Sequence, residues 1–148
     1  MANILVVDDD PDILALVAEI LQQSNHEVAV ADSGREALAV MAVDTIDLII
    51  SDIFMPDVDG IDLLALLNKD FPHCPMLAIS GGYRAMNSEL TLRMARMFGA
   101  FEVIAKPFAV HTIQDAVNRA LQHAALQRQP GAIPHPLHVN AQSTGDNT

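Results

Sequence analysis

Leu48-Ile49-Ile50-Ser51-Asp52-Ile53-Phe54-Met55-Pro56-Asp57-Val58-Asp59-Gly60 decides how this chain is read. A short apolar run, of the kind that fills a strand buried on both faces, stops at a carboxylate, Asp52. A proline, two more acids and a glycine follow, which predicts a sharp turn just beyond it. A charge at the mouth of a buried strand is costly unless neighbouring groups use it.

Upstream, Ile4-Leu5-Val6-Val7 reads as a first strand closed by Asp8-Asp9-Asp10, with Asp10 as helix cap and Pro11 at the first helical position. Ile13, Leu14, Val17, Ile20 and Leu21 recur at helical spacing and predict a first helix ending near Ser24-Asn25. Val28-Ala29-Val30 is a short second strand. Ser33-Gly34-Arg35-Glu36 is a capping-box pattern ahead of Ala37, Leu38 and Met41, hence a second helix. The third strand is expected from Asp47 to Ser51.

Downstream, Ile61, Leu63, Leu64 and Leu67 predict a third helix that stops before Phe71-Pro72. Met76-Leu77-Ala78-Ile79 is a fourth strand, broken by Ser80-Gly81-Gly82. Asn87 or Ser88 caps a helix carrying Leu90, Leu92, Met94 and Met97, which Gly99 ends. Phe101 to Ala105 is a fifth strand, followed by Lys106-Pro107-Phe108. A final helix from Val110 to Leu126 places Ile113, Ala116, Val117, Ala120 and Leu121 on one face. Strand and helix thus alternate five times, which predicts an α/β fold: a (βα)5 doubly wound parallel sheet with helices on both faces. Residues 1–126 form the domain; residues 127–148, with Pro130-Gly131, Pro134 and Pro136, read as a flexible tail.

The bulk numbers narrow the function. The 148 residues carry a net charge of −11, and Arg35 is the sole Lys or Arg between Met1 and Gly60. That balance argues against DNA or an anionic membrane as direct partner, since both ask for a basic face. No apolar run nears the roughly 18 residues of a membrane span, and no leader pattern opens the chain. With Cys74 as its single cysteine, the chain is expected in a reducing cytoplasm.

In a doubly wound sheet, functional groups gather beyond the carboxyl ends of the strands. The polar residues ending strands here are Asp8-Asp9-Asp10, Asp52, Ser80 and Lys106, while the second strand offers Asp32 alone, as expected for the outer strand in an order 2-1-3-4-5. Carboxylates from separate strands make an oxygen cage for a hard cation, and Mg²⁺ suits it best. A hydroxyl from Ser80 and an ammonium from Lys106 complete a clamp for a phosphoryl group, with Asp52 as nucleophile. Gly81 leaves the approach to Asp52 open. Taken singly, each residue is better read as a turn former, cap or surface lysine; it is their joint placement at strand ends that points to a site.

Val6-Val7-Asp8-Asp9-Asp10-Pro11, Asp52 with Met55-Pro56-Asp57-Val58-Asp59-Gly60, Ser80-Gly81 and Lys106-Pro107-Phe108 together resemble the receiver domain of two-component response regulators. The resemblance covers about residues 3 to 125 and implies the flavodoxin-like fold. It implies that Asp52 accepts a phosphoryl group from a histidine kinase or phosphotransfer protein. It further implies that Asp9, Asp52, the Phe54 backbone carbonyl and Asp8 through water hold Mg²⁺. Ser80 and Lys106 would then meet the phosphoryl group, and the Lys106-Pro107 bond would be cis. With no output-domain pattern after the tail, the expected type is the single-domain, chemotaxis-type regulator, which would signal to a downstream protein and catalyse only its own phosphotransfer and dephosphorylation.

Two positions depart from the family's pattern. Val103 stands where an aromatic switch residue often pairs with the hydroxyl of Ser80, so ring rotation is not this chain's reporter. Phe54 and Gly82 flank the expected phosphoryl site, and a phenyl ring cannot orient an attacking water, which predicts a long-lived phosphoryl state. Arg93, Arg96, Arg119 and His111 mark the helix before the fifth strand, that strand and the final helix as an expected partner surface or homodimer face, where Met86, Met94 and Met97 would add adaptable contacts. His135-Pro136-Leu137-His138 is too sparse for a metal site. Two rivals are weaker. An aspartate-nucleophile phosphatase usually carries a second Asp where Phe54 stands, and a phosphorylation-independent adaptor has no need of the full clamp.

Overall fold

The computed structural model describes residues 1–53, 60–80, 93, 96–97 and 99–127. Its elements are β1 (Asn3–Val7), α1 (Pro11–Gln23), β2 (Glu27–Ala31), α2 (Gly34–Val43), β3 (Leu48–Asp52), α3 (Gly60–Asp70), β4 (Met76–Ser80), β5 (Glu102–Ala105) and a final helix, Val110–Gln127. The strands form one parallel sheet in the order β2-β1-β3-β4-β5. This is the doubly wound order the sequence predicts, and every described element falls within a residue or two of its expected place.

Alternation along the buried strands sorts side chains to two cores. Leu5, Val7, Ile49, Met76 and Ala78 pack with Ala37 and Met41 of α2 and Leu63 and Leu67 of α3. Ile4, Val6, Leu48, Ile50, Leu77 and Ile79 face the other way, onto Val17, Ile20 and Leu21 of α1 and Ile113, Ala116, Val117 and Ala120 of the final helix. Each fully buried Leu or Ile in these rows contributes about 1.5–3 kcal/mol by leaving water. In the final helix Ala124 is buried, whereas Leu121 only flanks the core.

Local chemistry sets the helix starts. The Asp10 carboxylate accepts the Asp12 N–H at 2.9 Å, with Pro11 first in α1. Ser33 caps α2 by accepting the Glu36 N–H at 3.1 Å. The Glu36 side chain reaches past its expected target, the Ser33 N–H, and accepts from the Asp32 N–H at 2.7 Å. Before β5, Gly99 takes φ +98°, the left-handed geometry at which a helix commonly stops. Phe54 to Asp59, Gly81 to Leu92, Met94 and the tail from Arg128 lie outside the described residues. The expectations placed on them, including the Phe54 carbonyl ligand, the open approach at Gly81, the contacts of Met86 and Met94 and the extended tail, therefore have no structural counterpart here.

Candidate functional site

The site is built where strands end. β1 and β3 are neighbours whose last shared rung pairs Val7 with Ser51. One residue further on, each strand carries a carboxylate, Asp8 and Asp52, on the same row of the pleat. Both are buried, with 0% and 5% of their surfaces exposed. Asp52 belongs to the strand rather than following it, pairing with Ile79 of β4. Asp8 is turned by its own chain: its N–H donates to the Ala31 carbonyl at 3.1 Å, and its Oδ1 accepts the Asp10 N–H at 2.9 Å.

Lys106 arrives from the end of β5, and the Lys106–Pro107 bond is cis as the resemblance implied. Its Nζ lies 3.2 Å from Asp8 Oδ2 and 3.3 Å from Asp52 Oδ2, so one ammonium bridges both acids. Its backbone N–H donates to the Ser80 carbonyl at 2.9 Å, tying β5 to the end of β4. Ser80 is buried at that edge, but strand alternation sets it in the row of Met76 and Ala78, not in the row that leads to Asp52. Val103 packs against the core on the α2–α3 side.

Carboxylate oxygens of Asp8, Asp9 and Asp52 come within 4.8 Å of one another. Asp10 is absent from that group because it caps α1. Three hard oxygen donors this close suit Mg²⁺, which takes few protein carboxylates and keeps water in its remaining positions. The residues present therefore fit the ion. Electrostatics favour a cation as well: three carboxylates against one ammonium leave two negative charges uncompensated. Burial is the largest influence on Asp8 and, with the neighbouring Asp52 charge, raises its carboxyl above the usual range despite the Asp10 N–H and Lys106. For Lys106, burial pulls the ammonium down, but the charges of Asp52 and Asp8 and hydrogen bonds to both more than offset it, and the group is held above the ordinary lysine range.

This constellation can hold a hard cation against a buried carboxylate and bring a positive charge to it. Residues 4–118 match the sequence pattern of the response regulator receiver domain. The chain belongs to that family. The response regulator protein FleR of Pseudomonas aeruginosa is 34% identical over 88% of this chain and 26% of its own length. The receiver domain of NtrX from Brucella abortus superposes with a TM-score of 0.75 at 36% identity, over 80% of this chain and 98% of that structure.

One expectation is overturned. A DNA-binding transcriptional regulator, NtrC of Azospirillum brasilense, is 34% identical over 90% of this chain, which spans 26% of that protein. The receiver domain thus spans about a quarter of the length of these curated relatives. Excluding DNA from the acidic charge of these residues was unsound, because DNA association in such a relative belongs to a protein about four times as long. Among the described residues no helix is long and apolar enough to cross a membrane.

Two features escaped the sequence reading. Lys106 serves Asp8 as well as Asp52, a contact across 98 residues that no local pattern announces. Ser51, fully buried beside Asp52, looked like one more letter of an apolar run. Arg119, read as part of a basic partner surface, is engaged with Glu102 through two hydrogen bonds, 2.9 and 2.7 Å. Arg93, Arg96 and His111 are exposed.

Proposed function

We propose that this receiver domain is a phosphorylation switch whose acceptor is Asp52. The observation that carries the reading is a nearly buried carboxylate at a strand end, bridged by Lys106 to Asp8 and grouped with Asp9. The donor is the phosphohistidine of a histidine kinase or phosphotransfer protein. An Asp52 oxygen attacks phosphorus as the bond from phosphorus to the imidazole nitrogen breaks; the electron pair leaves with the histidine, and an acyl phosphate forms. Lys106 neutralises negative charge on the phosphoryl oxygens, and Ser80 supplies a hydroxyl donor at the same edge. Asp8, Asp9 and Asp52 would hold Mg²⁺, which when bound would screen the negative charge between nucleophile and phosphoryl group. Hydrolysis of the acyl phosphate returns the switch, so the chemistry acts on the domain itself and on no external substrate.

The signal leaves by contacts with another protein surface. A single, half-buried cysteine, Cys74, and bacterial relatives support a bacterial cytoplasmic setting. Incubation with a phosphorylated histidine kinase tests the reading. Label should pass to the wild-type domain and fail to pass to Asp52→Asn; equal labelling of both would refute Asp52 as acceptor.

A further inference from the structure

Ser51 is 0% exposed, and its register neighbours on both sides, Val7 of β1 and Ala78 of β4, are apolar. It shares its row with Ile49 and Ile53 in the core that packs α2 and α3. In such a row an alanine or valine is the stable choice, and a hydroxyl is tolerated when its hydrogen bond is made. The Ser51 hydroxyl makes it locally, donating to the carbonyl of Asp52 at 3.0 Å.

That bond falls where support from the sheet thins. The last rung between β1 and β3 is Val7 with Ser51, and the residue that follows β1, Asp8, points its N–H the other way, to the Ala31 carbonyl of β2. On the β4 side the Ile53 N–H donates to the Ile79 carbonyl at 3.0 Å. The Ile53 N–H and the Asp52 carbonyl belong to one peptide group. That peptide plane is therefore held on both edges, by the Ile79 carbonyl and by the Ser51 hydroxyl. This fixes the backbone on the carboxyl side of the Asp52 Cα, strand pairing holds the other side, and from the Cβ so placed the carboxylate reaches Lys106 Nζ at 3.3 Å.

We infer that Ser51 is a positioning residue for the acceptor: its hydroxyl locks the Asp52–Ile53 peptide and thereby aims the Asp52 carboxylate into the clamp. The inference rests on the reading of Asp52 as phosphoryl acceptor. In-line transfer tolerates little misplacement of the attacking oxygen, so loss of the lock slows the reaction without removing any reacting group.

Ser51→Ala and Ser51→Thr test it through two readouts: the rate of phosphorylation by acetyl phosphate at saturating Mg²⁺, and hydrogen exchange of the Ile53 amide. Ser51→Ala should slow phosphorylation and speed Ile53 exchange, each by about three- to tenfold, the worth of one hydrogen bond. The Ile49 amide, bonded to the Pro75 carbonyl lower in the same strand, should keep its wild-type protection. Ser51→Thr, which keeps the hydroxyl, should restore both values. Wild-type behaviour of Ser51→Ala in both readouts overturns the inference, and so does a defect that threonine leaves uncorrected, since that marks a packing effect. If alanine prevents folding, Ser51→Cys, close in shape but a poor donor, takes its place in the same readouts. A wild-type domain that takes no phosphoryl group refutes the acceptor reading instead, and Ile53 exchange then decides alone whether Ser51 holds the peptide.

Discussion

Lys106 Nζ stands 3.2 Å from Asp8 Oδ2, joining residues 98 apart in the chain, and the same ammonium reaches Asp52 at 3.3 Å. Among the described residues it is the cation that bridges the two buried acids. Lys106→Met should therefore destabilise the metal-free domain by roughly 1–3 kcal/mol, the cost of leaving a buried charged group short of a partner. It should also tighten Mg²⁺ binding several-fold, because a fixed positive charge beside the ion is gone. Thermal melts and a Mg²⁺ titration of both proteins check this; weaker binding by the variant would contradict it.

Gly99 is constrained twice. Its φ of +98° disfavours any side chain, and an added Cβ would collide with the side chain of Asn68 in α3. Gly99→Ala should cost about 1–3 kcal/mol in chemical denaturation. The double variant Gly99→Ala/Asn68→Ala should recover part of that loss and leave the share due to backbone strain. Full recovery would show the backbone to be unstrained.

His26 gives stability a pH dependence away from the site. Its Nδ1 accepts the Ala2 N–H at 3.1 Å, which a protonated ring cannot do. Burial first, and then the charge of the amino terminus, hold its pKa below the ordinary value of 6.5. The folded state thus binds this proton less readily than the unfolded chain. The contribution is whole above pH 6.5 and declines as pH falls from there toward the lowered folded value, below which it levels off. Against His26→Gln, wild type should lose more stability between neutral and mildly acidic pH, as followed by urea midpoints. Parallel curves would refute the assignment.

Phe54 is predicted from its chemistry alone to slow dephosphorylation, since its ring offers a hydrolytic water neither donor nor acceptor. Phosphorylated wild type should hold its label well beyond seconds, and Phe54→Gln should shorten that lifetime several-fold. Loss within seconds from the purified wild-type phosphoprotein would contradict the prediction.

Much of this was legible in the sequence because it follows local rules. Asp10 before Pro11 announces a cap, and the apolar runs announce strands buried on both faces. Part of what escaped depends on distance in the chain. The third strand was expected to stop at Ser51 because a carboxylate ends an apolar run; it continues to Asp52 because Lys106, from β5, makes a buried carboxylate tolerable. The extra role of Asp8 is hidden for the same reason. Ala124 is buried where Leu121 was favoured, because periodicity identifies a helical face but the packing partner sets its exact centre. Ser51 was invisible because its bond is to a backbone carbonyl, which no residue letter encodes.

The measurement that bears most directly on the central claim is intact mass after incubation with acetyl phosphate and Mg²⁺. Wild type should gain the mass of one phosphoryl group, released by mild alkali as an acyl phosphate is, while Asp52→Asn and wild type without Mg²⁺ should gain none. A gain in Asp52→Asn equal to that of wild type, or none in wild type with Mg²⁺ shown to bind, would contradict the assignment of Asp52 as acceptor.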